Sequence, residues 1–369
     1  MLLEDGARFD GLACAGEGWA VGEVVFTTSM SGYQEAMTDP SYAGQLLVFT
    51  QPQIGNYGTS GEAMESERVH ARAAIMRAAV DREDAPGAEQ GWLSWLSDRG
   101  VPGITGLDTR ALVRHIRRRG AMRGGLFPAA MSEREARSVI AAEPPMDGQD
   151  LVRDVTPPEL TVLEGGRARI AIVDTGVKRS IVRNLLARGA TVELHPCTTG
   201  ARELVAGDPD AILLANGPGD PAALTYIVDT VREVLGTRPV YGICLGHQLL
   251  CRALGLQTYK LPFGHHGANH PVKDLVQETI EITSQNHGFA VLGPDGSPTI
   301  ATDEAVRWET DFGTAELTHI NLYDRTVEGL RMCDVPAATV QYHPEAGPGP
   351  HDALHLFDRF LEGATAHAS

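Results

Sequence analysis

The sequence predicts an α/β protein, in which a C-terminal doubly wound, mostly parallel sheet follows an N-terminal α+β domain. From residue 169 onward, short apolar runs alternate with segments of helical periodicity, which is typical of a parallel sheet covered on both faces. Before residue 140, short alternating segments mix with Gly-rich and Pro-rich turns, and Pro and Gly crowd together after it. We therefore predict domains over 1–140 and 169–369, joined by a linker over 141–168.

The N-terminal domain contains one strand signal and two helix signals. Residues 19–26 form a short alternating segment, which is typical of a strand. Residues 91–99 place Trp and Leu side chains on one stripe, which predicts a helix. Residues 108–119 predict a second helix, because apolar residues recur at helical spacing after Asp108, a residue type that caps helix N-termini.

The C-terminal domain alternates strands and helices in a regular order. Predicted strands cover residues 169–173, 191–194, 210–215 and 239–243, and predicted helices cover 177–188, 221–235 and 245–254. Gly189 and Gly255 follow the first and the last of these helices, where glycine commonly ends a helix. In such sheets the reactive groups lie beyond the carboxyl ends of the strands, so functional residues are expected there.

The charge of the chain excludes several classes of partner. The 369 residues include 31 Lys and Arg against 48 Asp and Glu, a formal net charge of −17. A surface this acidic repels phosphate backbones and anionic lipid. No apolar run approaches the roughly 18 residues that span a bilayer, and the first residues are acidic where a secretory signal is basic. We expect a cytoplasmic protein that binds neither nucleic acid nor membranes.

The Cys and His patterns do not predict a metal site. Five cysteines are an odd number without CxxC spacing, which argues against a disulfide framework and against zinc. His265, His266 and His270 are close in sequence, but adjacent histidines point apart on an extended chain. No carboxylate or cysteine near them completes a ligand set with familiar spacing, so we expect no metal.

A candidate nucleophile lies in Gly242–Gln248, which reads Gly-Ile-Cys-Leu-Gly-His-Gln and follows an apolar strand. A cysteine between two glycines at a strand-to-helix turn is typical of a nucleophile elbow, in which the tight turn lifts the nucleophile above the sheet. The helix dipole at that position favours thiolate over thiol, so we predict that Cys244 is a nucleophile. The other cysteines lack this context and are expected to pack inertly in the core, as most free cysteines do: Cys14, Cys197, Cys251 and Cys333.

A thiolate nucleophile needs a base and a group that orients the base. Val340–Glu345 offers both, because His343 and Glu345 end an apolar run and their two-residue spacing directs both side chains to the same side. Pro344 between them stiffens the segment. A His–Glu pair alone is common, and Glu345 could be a solvated surface acid. Together with Cys244 the pair completes a nucleophile, a base and an orienting acid.

These motifs resemble a known family. The Cys244 segment and His343-Pro-Glu345 resemble the class I (triad) glutamine amidotransferases over about 169–369. More specifically, motifs in both halves resemble the small, glutaminase subunits of carbamoyl-phosphate synthetases, whereas other amidotransferases share the triad domain without the N-terminal half. The motifs lie at 22–35, 38–42, 106–110, 216–221, 263–271, 285–290 and 343–351.

The resemblance implies a role for each site residue. Cys244 would attack the side-chain amide carbon of L-glutamine, His343 would transfer protons, and Glu345 would hold the imidazole. The backbone N–H groups of Leu245 and Gly217 would bind the oxyanion, and water would hydrolyse the γ-glutamyl thioester to glutamate. The implied glutamine contacts are Ser41, which also fits a simple turn, and Gly217, Gly219, Leu245, Gln248, Asn286, Gly288 and Phe289.

The resemblance also implies a partner chain. The sequence has no Gly-x4-Gly-Lys-Ser/Thr loop and no Gly-x-Gly-x-x-Gly, so it shows no nucleotide site of those kinds. ATP and Mg would belong to the large subunit of carbamoyl-phosphate synthetase, and this chain would hold no cofactor. Ammonia becomes ammonium at neutral pH and is then not nucleophilic, so a heterodimer with a closed ammonia channel to the large subunit is expected.

Two alternatives remain at the level of sequence. The first is a stand-alone cysteine hydrolase of γ-glutamyl compounds, against which the motifs of the N-terminal half count. The second is a catalytically silent interaction subunit, against which the intact Cys244, His343 and Glu345 count. The sequence leaves open the oligomeric state, the effectors, and whether the product feeds arginine biosynthesis, pyrimidine biosynthesis or both.

Overall fold

The computed structural model describes residues 1–166 and 168–367, which form two compact units. The first unit comprises Met1–Gln149 together with Pro262–Gly267 and Gly347–Gly349, and the second comprises the remaining described residues. The first division, after Gln149, falls inside the segment predicted as a linker. None of the helices in the described ranges is both long and apolar enough to cross a membrane.

The first unit contains a seven-stranded mixed sheet and a separate two-stranded sheet. The strands of this unit are β1 (Leu2–Leu3), β2 (Leu12–Ala15), β3 (Ala20–Thr27), β4 (Gln45–Phe49), β5 (Gln53–Ile54), β6 (Ala73–Ile75), β7 (Ala78–Ala79), β8 (Gly103–Thr105) and β9 (Met122–Leu126). The seven-stranded sheet has the order β1-β9-β3-β4-β6-β8-β2, and β5 and β7 pair with each other in parallel. The helices of this unit are α1 (Tyr33–Thr38), α2 (Trp92–Asp98), α3 (Thr109–Arg119) and α4 (Glu133–Ala142). The central strands β3, β4, β6 and β8 pair in parallel, and β9 pairs antiparallel to β3.

Both helices predicted in this unit form, because their apolar stripes are buried. In α2, Trp92, Trp95 and Leu96 are buried in one cluster, and Leu93 packs against that cluster from a half-buried position. In α3, the side chain of Asp108 accepts a hydrogen bond from the backbone N–H of Ala111 at 3.0 Å, which caps the helix as predicted.

The second unit contains the predicted α/β domain. Its strands are β10 (Thr161–Leu163), β11 (Ala168–Asp174), β12 (Ala190–Pro196), β13 (Ala211–Leu214), β14 (Val240–Ile243), β15 (Thr258–Asp274), β16 (Thr279–Val291), β17 (Arg307–Thr310), β18 (Gly313–Asn321), β19 (Val327–Met332) and β20 (Ala337–Val340). Its helices are α5 (Arg179–Ala187), α6 (Ala201–Leu204), α7 (Thr225–Val234), α8 (Leu245–Ala253) and α9 (His355–His367). Residues 262–267 of β15 belong to the first unit.

The sheet of the second unit has a parallel centre and an antiparallel wing. Strands pair in parallel from β12 through β11, β13 and β14 to β20, and β19, β18, β15 and β16 continue the sheet. Apolar side chains pack on both faces of the parallel centre, which confirms the predicted α/β class. Since β13, β14 and β20 are neighbours, their carboxyl ends bring the segments around Gly217, Cys244 and His343 to one edge of the sheet.

The helix predicted over 221–235 begins later than expected. Pro221–Ala223 forms a 3-10 turn, and α7 starts at Thr225. The carboxylate of Asp220 accepts a hydrogen bond from the backbone N–H of Ala222 at 2.8 Å, which stabilises the tighter turn.

The prediction of core packing for the four other cysteines is only partly right. Cys197 and Cys251 are buried, but Cys14 is half-buried on the edge strand β2 and Cys333 is exposed. Cys333 directly follows β19 in the connection to β20, and such connections run over the protein surface. The prediction for Cys333 is therefore wrong.

Candidate active site

Cys244 lies on a sharp turn between β14 and α8. Its backbone has φ 56° and ψ −105°, a region that residues other than glycine seldom adopt. Steric crowding explains why glycines flank Cys244. A Cβ on Gly242 would lie 2.6 Å from the carbonyl oxygen of Gly246. A Cβ on Gly246 would lie 2.1 Å from the carbonyl oxygen of Leu214. This turn has the geometry that the sequence predicted for a nucleophile elbow.

The thiol of Cys244 lies at the edge of the sheet, only 2% exposed. The backbone N–H of Cys244 donates to the carbonyl oxygen of Val340 at 2.9 Å, which ties the turn to β20. Its Sγ lies 3.6 Å from the carbonyl oxygen of Asn286 in β16. The sulfur also precedes the N-terminus of α8, where the helix dipole stabilises negative charge.

A buried chain of three ionisable groups lies beside Cys244. His343 Nδ1 is 2.6 Å from Oε1 of Glu345, and Lys178 Nζ is 3.0 Å from the same oxygen. Lys178 also donates from Nζ to the carbonyl oxygen of Ala346 at 2.6 Å. Since each of the three side chains is no more than 2% exposed, water screens these charges little. Glu345 is thus a buried acid, and the alternative of a solvated surface acid is wrong.

The charges of these three groups shift the pKa values of His343 and Glu345 in opposite directions. Burial opposes a positive charge on His343, but the Glu345 carboxylate and the Cys244 sulfur outweigh burial and raise the pKa of His343 to about 10. Burial likewise opposes a negative charge on Glu345, but Lys178 and His343 outweigh it and lower the pKa of that carboxyl to about 2. His343 is therefore an imidazolium at neutral pH. Glu345 occupies Nδ1, so the buried Nε2 is the ring atom that can serve as a proton donor.

Two backbone N–H groups near the nucleophile are available for an oxyanion. Gly217 lies beside Leu245, since a Cβ on Gly217 would come within 2.9 Å of Leu245 Cδ2. The same Cβ would lie 2.1 Å from the carbonyl oxygen of Thr175, which explains the glycine at this position. Over the part of the chain that the structure describes, neither Gly217 nor Leu245 uses its backbone N–H in a hydrogen bond. Gly219, with φ 90°, completes the loop after β13.

The structure brings four more of the predicted glutamine contacts together. Gln248, one turn into α8, donates from Nε2 to the carbonyl oxygen of Phe289 at 2.8 Å. Asn286, Gly288 and Phe289 lie on β16, whose Asn286 carbonyl is near Cys244 Sγ. Ser41 belongs to the first unit, in a 3-10 turn where its backbone N–H donates to Asp39 at 2.9 Å. Its contact with substrate stays a prediction.

Sequence reasoning missed Lys178 and Gln341. Lys178 follows β11, at the carboxyl edge of the sheet where functional residues were expected, so its position was a usable signal. Its backbone N–H donates to the side-chain oxygen of Asn216 at 3.1 Å. Gln341 accepts at Oε1 a hydrogen bond from Gln248 Nε2 at 3.0 Å, and no spacing in the sequence indicates that pairing.

The comparisons with known proteins agree with this fold. Residues 171–362 match the family described as glutamine amidotransferase class-I, so the second unit is an amidotransferase domain of that class. Residues 1–126 match the family described as carbamoyl-phosphate synthase small chain, CPSase domain. The chain belongs to the carbamoyl phosphate synthase small-chain family, as the sequence motifs predicted.

Full-length relatives support this assignment. The chain is 47% identical over 367 residues to the carbamoyl phosphate synthase small chain of Chlorobaculum tepidum, covering 98% of this chain and 96% of the relative. It is 44% identical over 382 residues to that of Syntrophotalea carbinolica, covering 98% and 96% of the two chains. It is 46% identical over 371 residues to that of Methanopyrus kandleri, covering 100% and 99%.

Proposed function

We propose that this chain hydrolyses L-glutamine through a thioester on Cys244 and delivers the ammonia to a large, ATP-dependent carbamoyl-phosphate synthase subunit. The observation that supports this most strongly is the placement of Cys244 on a strained turn beside His343, where the Cys244 sulfur raises the pKa of the imidazole. The imidazole also contacts the carboxylate of Glu345, which in turn pairs with Lys178. A nucleophile, a base and an orienting acid are the groups that acyl transfer requires.

In the first half of the reaction, the Cys244 sulfur forms a bond to the side-chain amide carbon of glutamine. The oxygen of the tetrahedral species carries negative charge, for which the N–H groups of Gly217 and Leu245 are the candidate donors. Collapse breaks the carbon–nitrogen bond, and the imidazolium of His343 gives its proton to the leaving nitrogen, which departs as ammonia. A thioester and a neutral His343 remain.

In the second half, His343 takes a proton from water, and the resulting hydroxide adds to the thioester carbon. The carbon–sulfur bond then breaks, which restores the Cys244 thiolate and leaves the product as a γ-carboxylic acid. That acid loses its proton to solvent as glutamate is released, and His343 is again an imidazolium. Glu345 stays ionised throughout, since its role is to orient the ring and to stabilise the imidazolium. The proposed substrate contacts are those on α8 and β16, the loop after β13, and Ser41.

The ammonia has to reach its acceptor unprotonated. We place the acceptor chemistry, with bicarbonate, ATP and Mg, on the large subunit, and we expect a heterodimer with an enclosed route for ammonia. The carbamoyl phosphate formed there would serve arginine biosynthesis, pyrimidine biosynthesis or both. Support for this partner comes from the family, whose members carry the name small chain.

The test is a reconstitution of the Cys244→Ser variant with the large subunit from the same host. Carbamoyl phosphate synthesis from glutamine should be lost, while synthesis from added ammonia should persist, because only the first depends on the thioester. Cys251→Ser, in the same helix, is the matched control and should keep both activities. Loss of both activities in Cys244→Ser, with the complex intact, would refute the proposed division of labour.

A further inference from the structure

We propose that Gln341 is a positioning residue that fixes the amide of Gln248, so that the carbonyl oxygen of Gln248 faces the α-ammonium group of L-glutamine. This inference rests on the proposed function, because it takes glutamine as the substrate. Neither the triad nor the family match assigns Gln341 a role.

The orientation of the Gln248 amide follows from its two hydrogen bonds. Gln248 is 3% exposed, and its Nε2 lies 2.8 Å from the carbonyl oxygen of Phe289 and 3.0 Å from Oε1 of Gln341. A backbone carbonyl can only accept, so the nitrogen of Gln248 and not its oxygen must face Phe289. Both N–H hydrogens of Gln248 are then consumed, one by each partner.

The orientation of the Gln341 amide follows in turn. Its Oε1 must face Gln248, because the opposite orientation would set two N–H donors against each other. Gln341 is fully buried, and its backbone N–H donates to the carbonyl oxygen of Glu328 at 2.8 Å, which holds the residue on the segment between β20 and His343. Among the residues that the structure describes, Gln341 Nε2 has no hydrogen-bond partner.

The unpartnered nitrogen indicates that Gln341 is not placed for stability alone. A buried N–H without a partner costs about 1–3 kcal/mol, and such groups are rare unless they serve a function. Here the arrangement places the one acceptor of Gln341 against Gln248. Because Nε2 of Gln248 is used by these two partners, Oε1 is the polar atom of its side chain that remains. Gln248 can therefore act towards the site only as a hydrogen-bond acceptor.

A hydrogen-bond acceptor at this position favours a positively charged substrate group over a negatively charged one. Of the polar groups of free glutamine, the α-ammonium can only donate and the α-carboxylate can only accept, so Gln248 Oε1 favours the first and repels the second. Gln248 lies one helical turn, about 5–6 Å, beyond Cys244, and this is of the order of the length of the glutamine side chain. The pair therefore sets the end-to-end orientation of the bound amino acid.

The experiment compares L-glutamine with 5-amino-5-oxopentanoate, which is glutamine without its α-ammonium group, by ammonia release from the complete complex. In Gln341→Met the acceptor is lost and the Gln248 amide can turn. The preference for glutamine, as a ratio of kcat/KM values, should fall by about tenfold to a hundredfold, chiefly through KM. Gln341→Glu keeps an oxygen towards Gln248 and should hold the ratio within a few-fold.

Further variants separate positioning from a general structural role. Gln248→Met should lower the same ratio, and the double variant should lower it no further, because both changes remove one acceptor. Gln45→Met, a buried glutamine in the first unit, is the matched control and should leave the ratio unchanged. An unchanged ratio in Gln341→Met, or a folded Gln341→Glu that loses the preference, would overturn the inference. Absence of any glutamine hydrolysis by the wild-type complex would instead overturn the proposed function.

Discussion

Cys244 and Cys251 lie at opposite ends of helix α8, and each has a buried histidine as neighbour. The sulfur of Cys251 is 3.7 Å from both ring nitrogens of His247, whose Nδ1 is 2.8 Å from the hydroxyl of Thr339. Burial raises the pKa of the Cys251 thiol well above its usual value and lowers the pKa of His247 to about 3. Both groups of this second pair are therefore neutral at physiological pH.

The difference between the two pairs lies in the groups behind the histidine. The Nδ1 atom of His247 contacts a hydroxyl. The Nδ1 atom of His343 contacts the carboxylate of Glu345, which also forms an ion pair with Lys178. Burial opposes the charged form of both imidazoles, and only His343 has a countercharge that outweighs burial. A cysteine beside a histidine does not by itself give a charged imidazole, and the buried acid makes the difference.

The largest effect should separate the two cysteines directly. In Cys244→Ser, glutamine hydrolysis should fall by at least about a thousandfold, because the proposed thioester forms on this sulfur. In Cys251→Ser it should stay within about twofold. Steady-state ammonia release measures both, and an electrophilic glutamine analogue followed by peptide mapping should label Cys244 and not Cys251. Equal losses in the two variants would break the comparison.

Replacement of Glu345 should make the Cys244–His343 pair resemble the Cys251–His247 pair. In Glu345→Gln the carboxylate that raises the pKa of His343 is gone, so burial lowers that pKa and less imidazolium is present at neutral pH. We expect kcat to fall by about a hundredfold to ten-thousandfold and its pH optimum to move to lower pH. The pH profile of kcat measures the shift. An unchanged profile would show that Glu345 does not control His343.

Removal of the cation should cause a smaller loss of activity, with a pH shift in the opposite direction. Lys178→Met leaves Glu345 buried without its cation, so the pKa of that carboxyl rises and the acidic limb of the kcat profile moves to higher pH. We expect a loss of about tenfold to a hundredfold at neutral pH, since His343 still pairs with the acid. Lys273→Met is the control, because Lys273 lies 3.9 Å from an exposed Asp303 carboxylate. Equal activities in the two variants would exclude Lys178 as a positioning residue.

The same charges should contribute to stability in a defined pH range. The folded protein lowers the pKa of Glu345 from 4.5 to about 2, so this stabilisation is present above pH 4.5 and is lost as the pH falls towards 2. The raised pKa of His343 acts in the opposite sense, because its stabilisation is present below pH 6.5 and is lost as the pH rises through about 10. In urea unfolding, the difference between wild type and Glu345→Gln should therefore shrink as the pH falls below 4.5. A difference that stays constant across that range would contradict the assignment.

The smallest effect concerns the second pair. Thr339→Val removes the hydrogen bond to His247 and should lower the free energy of unfolding by about 1 kcal/mol. Ammonia release should stay within about twofold of wild type, since the proposed reaction uses neither group of the Cys251–His247 pair. A loss of activity comparable with that of Lys178→Met would show that the second pair also supports catalysis.

The elbow and the His–Glu pair could be predicted because each is local in sequence. Gly242, Cys244 and Gly246 occupy one turn, and His343 and Glu345 lie two residues apart. The position of Lys178 was a usable signal but its role was not, because its partners Glu345 and Ala346 are distant in the chain and meet it only after the parallel strands are ordered. The exposure of Cys333 was missed for a related reason, since it depends on the connection between β19 and β20.

The sheet was predicted unevenly for physical reasons. Strands β11, β13 and β14 are buried on both faces and therefore appear as apolar runs. Strands β15 and β16 contain many polar, His and Gly residues, and this composition does not show the period of a buried strand. The antiparallel wing therefore had no clear signal in the sequence.

The protonation of His343 in the resting protein tests the account most directly. Titration of isotope-labelled histidine side chains by NMR, with His343→Asn and His247→Asn to assign the two signals, measures both pKa values in one sample. We predict that His343 remains an imidazolium well above pH 7 in the wild type, and that its pKa is lower in Glu345→Gln. His247 should stay neutral throughout. A His343 signal that titrates near pH 6.5, unmoved by loss of Glu345, would contradict the account.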